Sequence, residues 1–299
     1  MNKLISLLIV YAFTIASSAA QSPKLILPIG HTQEVNDAQF SPDGKKIITV
    51  SNDKTGKIWE TEKGFLLANL KGHKDSVNKG NFSPDGQSIL TVSDDSTAKL
   101  WNSVSGMLVQ NFGDKNNKLC NAEFSKDGKY VFAIFADSTV RLFDAVTGQI
   151  TYKIKNTKDG IFTAAMNASN TQIATVGDDY NVRLWEVSTG NLLKVLKGHR
   201  RLINFIDYSP DGTKLISSSN DSTARVWSIS GLPLFVIKSP DGIMFSRFSP
   251  DNKKICTATF NNIITISDIN TGAFINKLDG QDGSLSSMEF SPNGALLVT

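Results

Sequence analysis

Residues 40–59 read FSPDGKKIITVSNDKTGKIW, and residues 82–101 read FSPDGQSILTVSDDSTAKLW. Each stretch opens on an aromatic and a Ser-Pro-Asp-Gly turn, runs through β-rich residues, turns again at an Asp and ends on Trp. The opening signature returns as Phe124-Ser-Lys-Asp-Gly, Tyr208-Ser-Pro-Asp-Gly, Phe248-Ser-Pro-Asp-Asn and Phe290-Ser-Pro-Asn-Gly, with a degenerate copy at Met166-Asn-Ala-Ser-Asn. The seven anchors stand 42, 42, 42, 42, 40 and 42 residues apart. Chance does not produce that spacing; a fixed period of this size marks a repeat architecture.

Two further landmarks keep the register. Thirteen residues after the anchors come Asp53, Asp95, Asp137, Asp179, Asp221 and Asn261, and nineteen after come Trp59, Trp101, Phe143, Trp185, Trp227 and Ser267. Each unit reads as four short strands. The first ends at the anchor; Pro and Gly then shape a turn. A run such as Ile47-Ile-Thr-Val follows, the Asp turn leads to the aromatic strand, and a Thr-Gly or Ser-Gly turn opens a fourth strand such as Leu66–Leu70. Four strands per unit predict an all-β, seven-bladed propeller whose last blade is incomplete.

The pattern resembles the WD-repeat family over residues 24–299. Blades of that family carry Gly-His at the start, Ser or Thr on the second strand, Asp in the next turn and Trp on the third strand. Three repeats carry the whole set: His31, Ser51, Asp53 and Trp59; His73, Ser93, Asp95 and Trp101; His199, Ser219, Asp221 and Trp227. The resemblance implies that each set forms a hydrogen-bonded chain across its blade, as buried polar groups require. Repeats three, four and six place Lys115, Thr157 and Ser239 where the His would stand, which predicts less rigid blades. The family closes its ring with an N-terminal strand, and Lys24–Ile29 fits that role. The seventh repeat supplies one strand ending at Phe290 and another at Ala295–Thr299. This shortfall suggests a longer protein, the alternative being that the N-terminal strand shifts inward to pair directly and close the ring.

The first twenty residues have a different character. Lys3 precedes an apolar run from Leu4 to Ile15, and small residues at Ser18 and Ala20 precede Gln21. The run is too short to span a bilayer and suits a signal peptide removed before Gln21. The expectation is therefore a signal peptide at 1–20, a propeller at 21–299, and an exported product in the periplasm or outside the cell with no stable membrane insertion. A formal net charge of +3, with cations scattered among acids, gives no stripe for phosphates, so no nucleic-acid partner is expected.

Catalytic groups are scarce. The three histidines all sit nine residues before an anchor, so the repeat accounts for each, and no metal site or general base is left over. Recurrent Asp residues fall in turns, where they bond to nearby backbone. No cofactor motif is present. Cys120 and Cys256 lie on blades three steps apart, beyond the roughly 7 Å reach of a disulfide, and both are expected as small buried hydrophobes. Asn167-Ala-Ser and Asn220-Asp-Ser are formal glycosylation sequences, the latter overlapping a structural turn.

Partners of similar proteins often contact the face where first strands begin and second strands end. Those positions give a polar sector in repeats one and two, including Glu34, Asn36, Asn52 and Asp94, and an apolar one in repeats four to six. The candidate partner-binding residues are Phe162, Leu202, Asn204, Met244, Phe260 and Lys118. Their other possible role is to plug the channel or pack within degenerate blades. The leading function is a non-enzymatic scaffold for a protein or peptide. The alternative is a ligand-sensing segment of a larger exported protein with an effector domain beyond residue 299; an enzyme sited in the central channel would be a third class.

Overall fold

The computed structural model describes residues 30–114, 116–155, 160–278, 285, 288–291, 293–295 and 297–298. The expected signal peptide, its cut before Gln21, the strand at Lys24–Ile29, and the residues Lys115 and Thr157 lie outside the described residues. Among the described residues every regular element is a β-strand, and six four-stranded antiparallel sheets recur in one pattern. In repeat one the strands are Val35–Phe40, Lys46–Ser51, Thr55–Glu60 and Leu66–Lys71, paired in chain order.

Local chemistry explains the hairpins. Ser41 Oγ donates to Asp43 Oδ1 at 2.6 Å and accepts from Lys46 N at 2.8 Å, closing the first turn. Asp53 Oδ1 accepts from Thr55 N at 3.0 Å and from its hydroxyl at 2.6 Å, closing the second. Between Asp and Thr the chain turns through the left-handed region at Lys54, and it does so again at Ser96, Ser138, Tyr180, Ser222 and Asn262. Phe40 pairs with Ile47, Ile47 with Trp59 and Trp59 with Leu66, so the anchor and the Trp lie on one line across the sheet.

Burial grades outward along each sheet. Second and third strands are buried nearly end to end, whereas fourth strands expose their first residues, as Leu66 and Leu67 do. Sheets covered on both faces need continuous apolar runs, and Ile47–Val50 and Ile89–Val92 supply them, interrupted only by the threonines of the polar chains described below.

Two compact units divide the described residues. The first holds residues to Phe124, Ala145–Gly148 and those from Met288 on; the second holds Ser125–Asp144 and Gln149–Leu285. In the first unit the sheets of repeats one and two enclose Ile48, Val50, Leu70, Phe82, Ile89 and Trp101. The strand Glu289–Phe290 of the seventh repeat pairs with Leu297–Val298 and touches Val35–Phe40 of the first. In the second unit the sheets of repeats five and six pack around Ile216, Val226, Ile243, Phe248 and Ile255.

Candidate functional site

Polar chains cross the three His-bearing blades. In repeat one, His31 Nδ1 donates to Asp53 Oδ2 at 2.8 Å, and Nε2 lies 2.9 Å from Thr49 Oγ1, which also accepts from Trp59 Nε1 at 2.7 Å. With Nδ1 protonated toward the carboxylate, Nε2 is an acceptor, and the Thr hydroxyl donates to it. Repeat two matches through His73, Asp95, Thr91 and Trp101, and repeat five through His199, Asp221, Ser217 and Trp227. Burial lowers the pKa of all three imidazoles despite the adjacent carboxylates, which keeps the rings neutral. Burial opposes ionisation of Asp95, yet hydrogen bonds from Thr97, Lys74 N and His73 hold its pKa down to about 2.

The linking hydroxyl is therefore not Ser51, Ser93 or Ser219, as the sequence pattern implied, but the residue two positions earlier. Both hydroxyls share a face of the strand, since side chains alternate with period two. Ser93 Oγ instead donates to Asp75 O at 3.0 Å and accepts from Asp95 N at 3.1 Å, tying the incoming loop to the turn. Ser51 and Ser219 do the same with Gln33 O and Arg201 O.

Repeats three and four keep the Asp without the His, and an arginine takes its place. Arg141 Nη2 donates to Asp137 Oδ2 at 2.8 Å, and Arg183 grips Asp179 with two bonds of 2.9 and 2.7 Å. Both arginines are buried on the third strand. A bidentate guanidinium–carboxylate pair is among the stronger hydrogen-bonded contacts. The loss of rigidity expected for these two blades is thus offset by an ion pair. Repeat six has neither His nor Asp, and Thr257 and Thr265 pair through their hydroxyls at 2.7 Å.

Five of the six candidate partner-binding residues lie in the second unit, while Lys118 is exposed in the first. Phe162, Leu202 and Phe260 are 50%, 39% and 45% exposed, and Met244 is half-buried. Leu202 O accepts from Asn220 N at 3.0 Å, and Gly242 O accepts from Phe260 N at 3.1 Å. A Cβ at Gly242 would lie 3.4 Å from Asn220 Cα and 3.0 Å from the Phe260 ring, so repeats five and six form one continuous surface here.

Asn204 has another use. It sits where the strand register shifts, and its Nδ2 donates to Asn220 Oδ1 at 2.6 Å and to Ile243 O at 2.9 Å. Asn36 makes the same two bonds, to Asn52 and Val77 O. These asparagines fasten one sheet to the next; at the equivalent positions repeats four and six carry Phe162 and Met244. The inner wall of the second unit adds Phe205 and Phe245, 5.8 Å apart edge to face, with the Arg247 guanidinium 4.4 Å from the Phe205 ring centroid. The sequence reading did not single these out, although Phe at a first-strand position that is Asp37 or Lys79 elsewhere was a visible signal.

Neither cysteine forms a disulfide. Cys256 is buried as expected, and burial pushes its thiol pKa up to about 12. Cys120 is exposed, against expectation; it is the second residue of the first strand Leu119–Phe124, where its neighbour Leu119 is the one turned inward. Asn167 is buried and its side chain accepts from Thr171 N and Gln172 N, while Asn220 accepts from Asn204, so both formal glycosylation sites are occupied by structural bonds. Among the described residues no group of three or more His, Cys, Asp or Glu could hold a metal ion.

The family model described as WD domain, G-beta repeat, matches residues 22–60, 64–102 and 190–228. These are the three repeats that carry the His, and each match ends one residue past a Trp. The chain is also 46% identical over 43 residues to an uncharacterized WD repeat-containing protein of the cyanobacterium Synechocystis, a stretch covering 14% of this chain and 12% of that relative. Such repeats generally build scaffolds for protein interaction rather than enzymes. Three of its repeats thus match the WD repeat, and the six sheets built to one pattern have the form of a WD-repeat β-propeller.

Proposed function

We propose that this protein is a non-catalytic scaffold that docks a protein or peptide on the surface of the second unit bearing Phe162, Leu202, Met244 and Phe260. One observation carries the reading: at positions where repeats one and five place asparagines bonded into the fold, repeats four and six place apolar side chains, of which Phe162 and Phe260 are about half exposed. Exposed aromatics beside polar neighbours are what an interface uses as anchors. A phage-displayed library of random twelve-residue peptides, selected on the purified chain, tests it. Phe162→Ser combined with Phe260→Ser is expected to abolish enrichment while changing stability by less than about 1 kcal/mol, since the sites are on the surface. Equal enrichment by the folded double variant sinks the reading.

The blade number is seven in this proposal, supported by the seventh anchor at Phe290 and by its short sheet beside repeat one. The protein acts outside the cytoplasm, a reading supported by Lys3, the Leu4–Ile15 run and the small residues Ser18 and Ala20. Protein recovered from its host should begin at Gln21 on N-terminal sequencing; a start at Met1 removes the export reading. No helix among the described residues is long and apolar enough to cross a membrane.

A further inference from the structure

We propose that the segment docked on this surface is acidic, its carboxylates held by Arg200 and Arg201 beside Leu202; the inference rests on the docking surface above and specifies its partner.

Both arginines have a fixed backbone and exposed side chains. Arg200 N donates to Asp221 Oδ2 at 3.0 Å, and Arg201 O accepts from Ser219 Oγ at 3.1 Å. Among the described residues neither guanidinium makes an ion pair or a side-chain hydrogen bond. The same two positions hold Thr32-Gln33, Lys74-Asp75, Asn116-Asn117, Lys158-Asp159 and Pro240-Asp241 in other repeats. Paired cations occur only in repeat five, the repeat that contributes Leu202 and adjoins Phe260.

A third guanidinium stands at the same loop. In repeats three and four the third-strand arginine is neutralised by the turn Asp. In repeat five His199 has taken Asp221, and among the described residues Arg225 forms no ion pair and its buried Nε has no acceptor. Its Nη1 lies 2.9 Å from where a Cβ on Gly198 would be, which sets it against the loop that continues into Arg200 and Arg201. Guanidinium groups match carboxylates in planar, two-bond geometry, and the exposed Leu202, next in the chain, adds an apolar contact. A nucleic acid would need cations spread along a track, whereas the net charge here is +3 and the pair is confined to one repeat.

The same peptide library distinguishes the two readings. Peptides selected on the unaltered chain are expected to be rich in Asp and Glu next to Leu or Phe. The best of them, synthesised with a fluorophore, should bind at least ten times more weakly to the folded Arg200→Glu, Arg201→Glu variant, and more weakly in high salt. Selected peptides without an acidic excess, or unchanged binding by the charge-reversed variant, overturn the inference; if the Phe162→Ser, Phe260→Ser variant still fails to enrich, the docking surface stands alone. Acidic peptides lost on charge reversal but kept by the Phe variant would instead sink the apolar docking reading and leave the arginine site. A labelled single-stranded oligonucleotide that binds the chain and is released by the charge reversal would assign the pair to nucleic acid and overturn the peptide.

Discussion

Replacing Thr91 by Val is expected to cost about 2–5 kcal/mol of folding free energy, more than any other change to a single hydroxyl in its repeat. The shape is nearly kept, but two buried groups lose their partner together: Trp101 Nε1 loses its acceptor and His73 Nε2 its donor. Each orphaned polar group costs about 1–3 kcal/mol. Thr91→Ser should cost less than about 1 kcal/mol, since repeat five uses Ser217 in that place. Ser93→Ala, which removes only ties to backbone, should cost about 1 kcal/mol. Urea midpoints at constant slope measure the order. If Ser93→Ala proves the more damaging of the two, the assignment of the linking hydroxyl fails.

Gly231→Ala is expected to cost about 2–4 kcal/mol, against about 1–2 kcal/mol for Gly190→Ala. The two glycines occupy the same turn, before the fourth strand, in consecutive repeats, with φ of +79° and +70°. A side chain at either is strained by the left-handed backbone, at about 1–2 kcal/mol. Only at Gly231 would the new Cβ also collide, 2.5 Å from Leu196 Cδ2 and 2.8 Å from Lys194 Cδ on the preceding fourth strand. At Gly190 the nearest atom is a carbonyl oxygen 3.7 Å away, an ordinary contact. The difference between the two thermal midpoints isolates the packing of turn against sheet; equal midpoints would show that Leu196 yields without cost.

The repeats were legible because the landmarks that define them are spent on local work. An anchor aromatic, a Pro-Asp-Gly turn and an Asp turn each act within a few residues, so their spacing survives translation into strands unchanged. What stayed hidden depends on contacts between strands. Thr91 and Ser93 look alike in a list, and only the register shows which one reaches the indole. Asn204 looked like a residue free for a partner, but the register shift at its position turns it toward Ile243 O of the next sheet. The arginine that replaces His in repeats three and four was foreshadowed by an Asp-x-x-x-Arg spacing, yet Asp221 and Arg225 share that spacing without pairing. Position four residues along a bent chain does not decide which of two cations reaches a carboxylate first.

The segment matched at 64–102 starts on the outer strand of one sheet, Leu66–Lys71, and ends after the three inner strands of the next; the segment at 190–228 is cut the same way. The inherited piece of sequence and the folded piece of sheet are therefore out of step by one strand. No single copy can complete a sheet by itself. Yet when a whole period is lost or gained, each interrupted sheet receives an equivalent outer strand from the neighbouring copy, and no strand is left over. A gene built of such pieces can lengthen or shorten by one period at a time, while a break at any other interval leaves a sheet short of a strand.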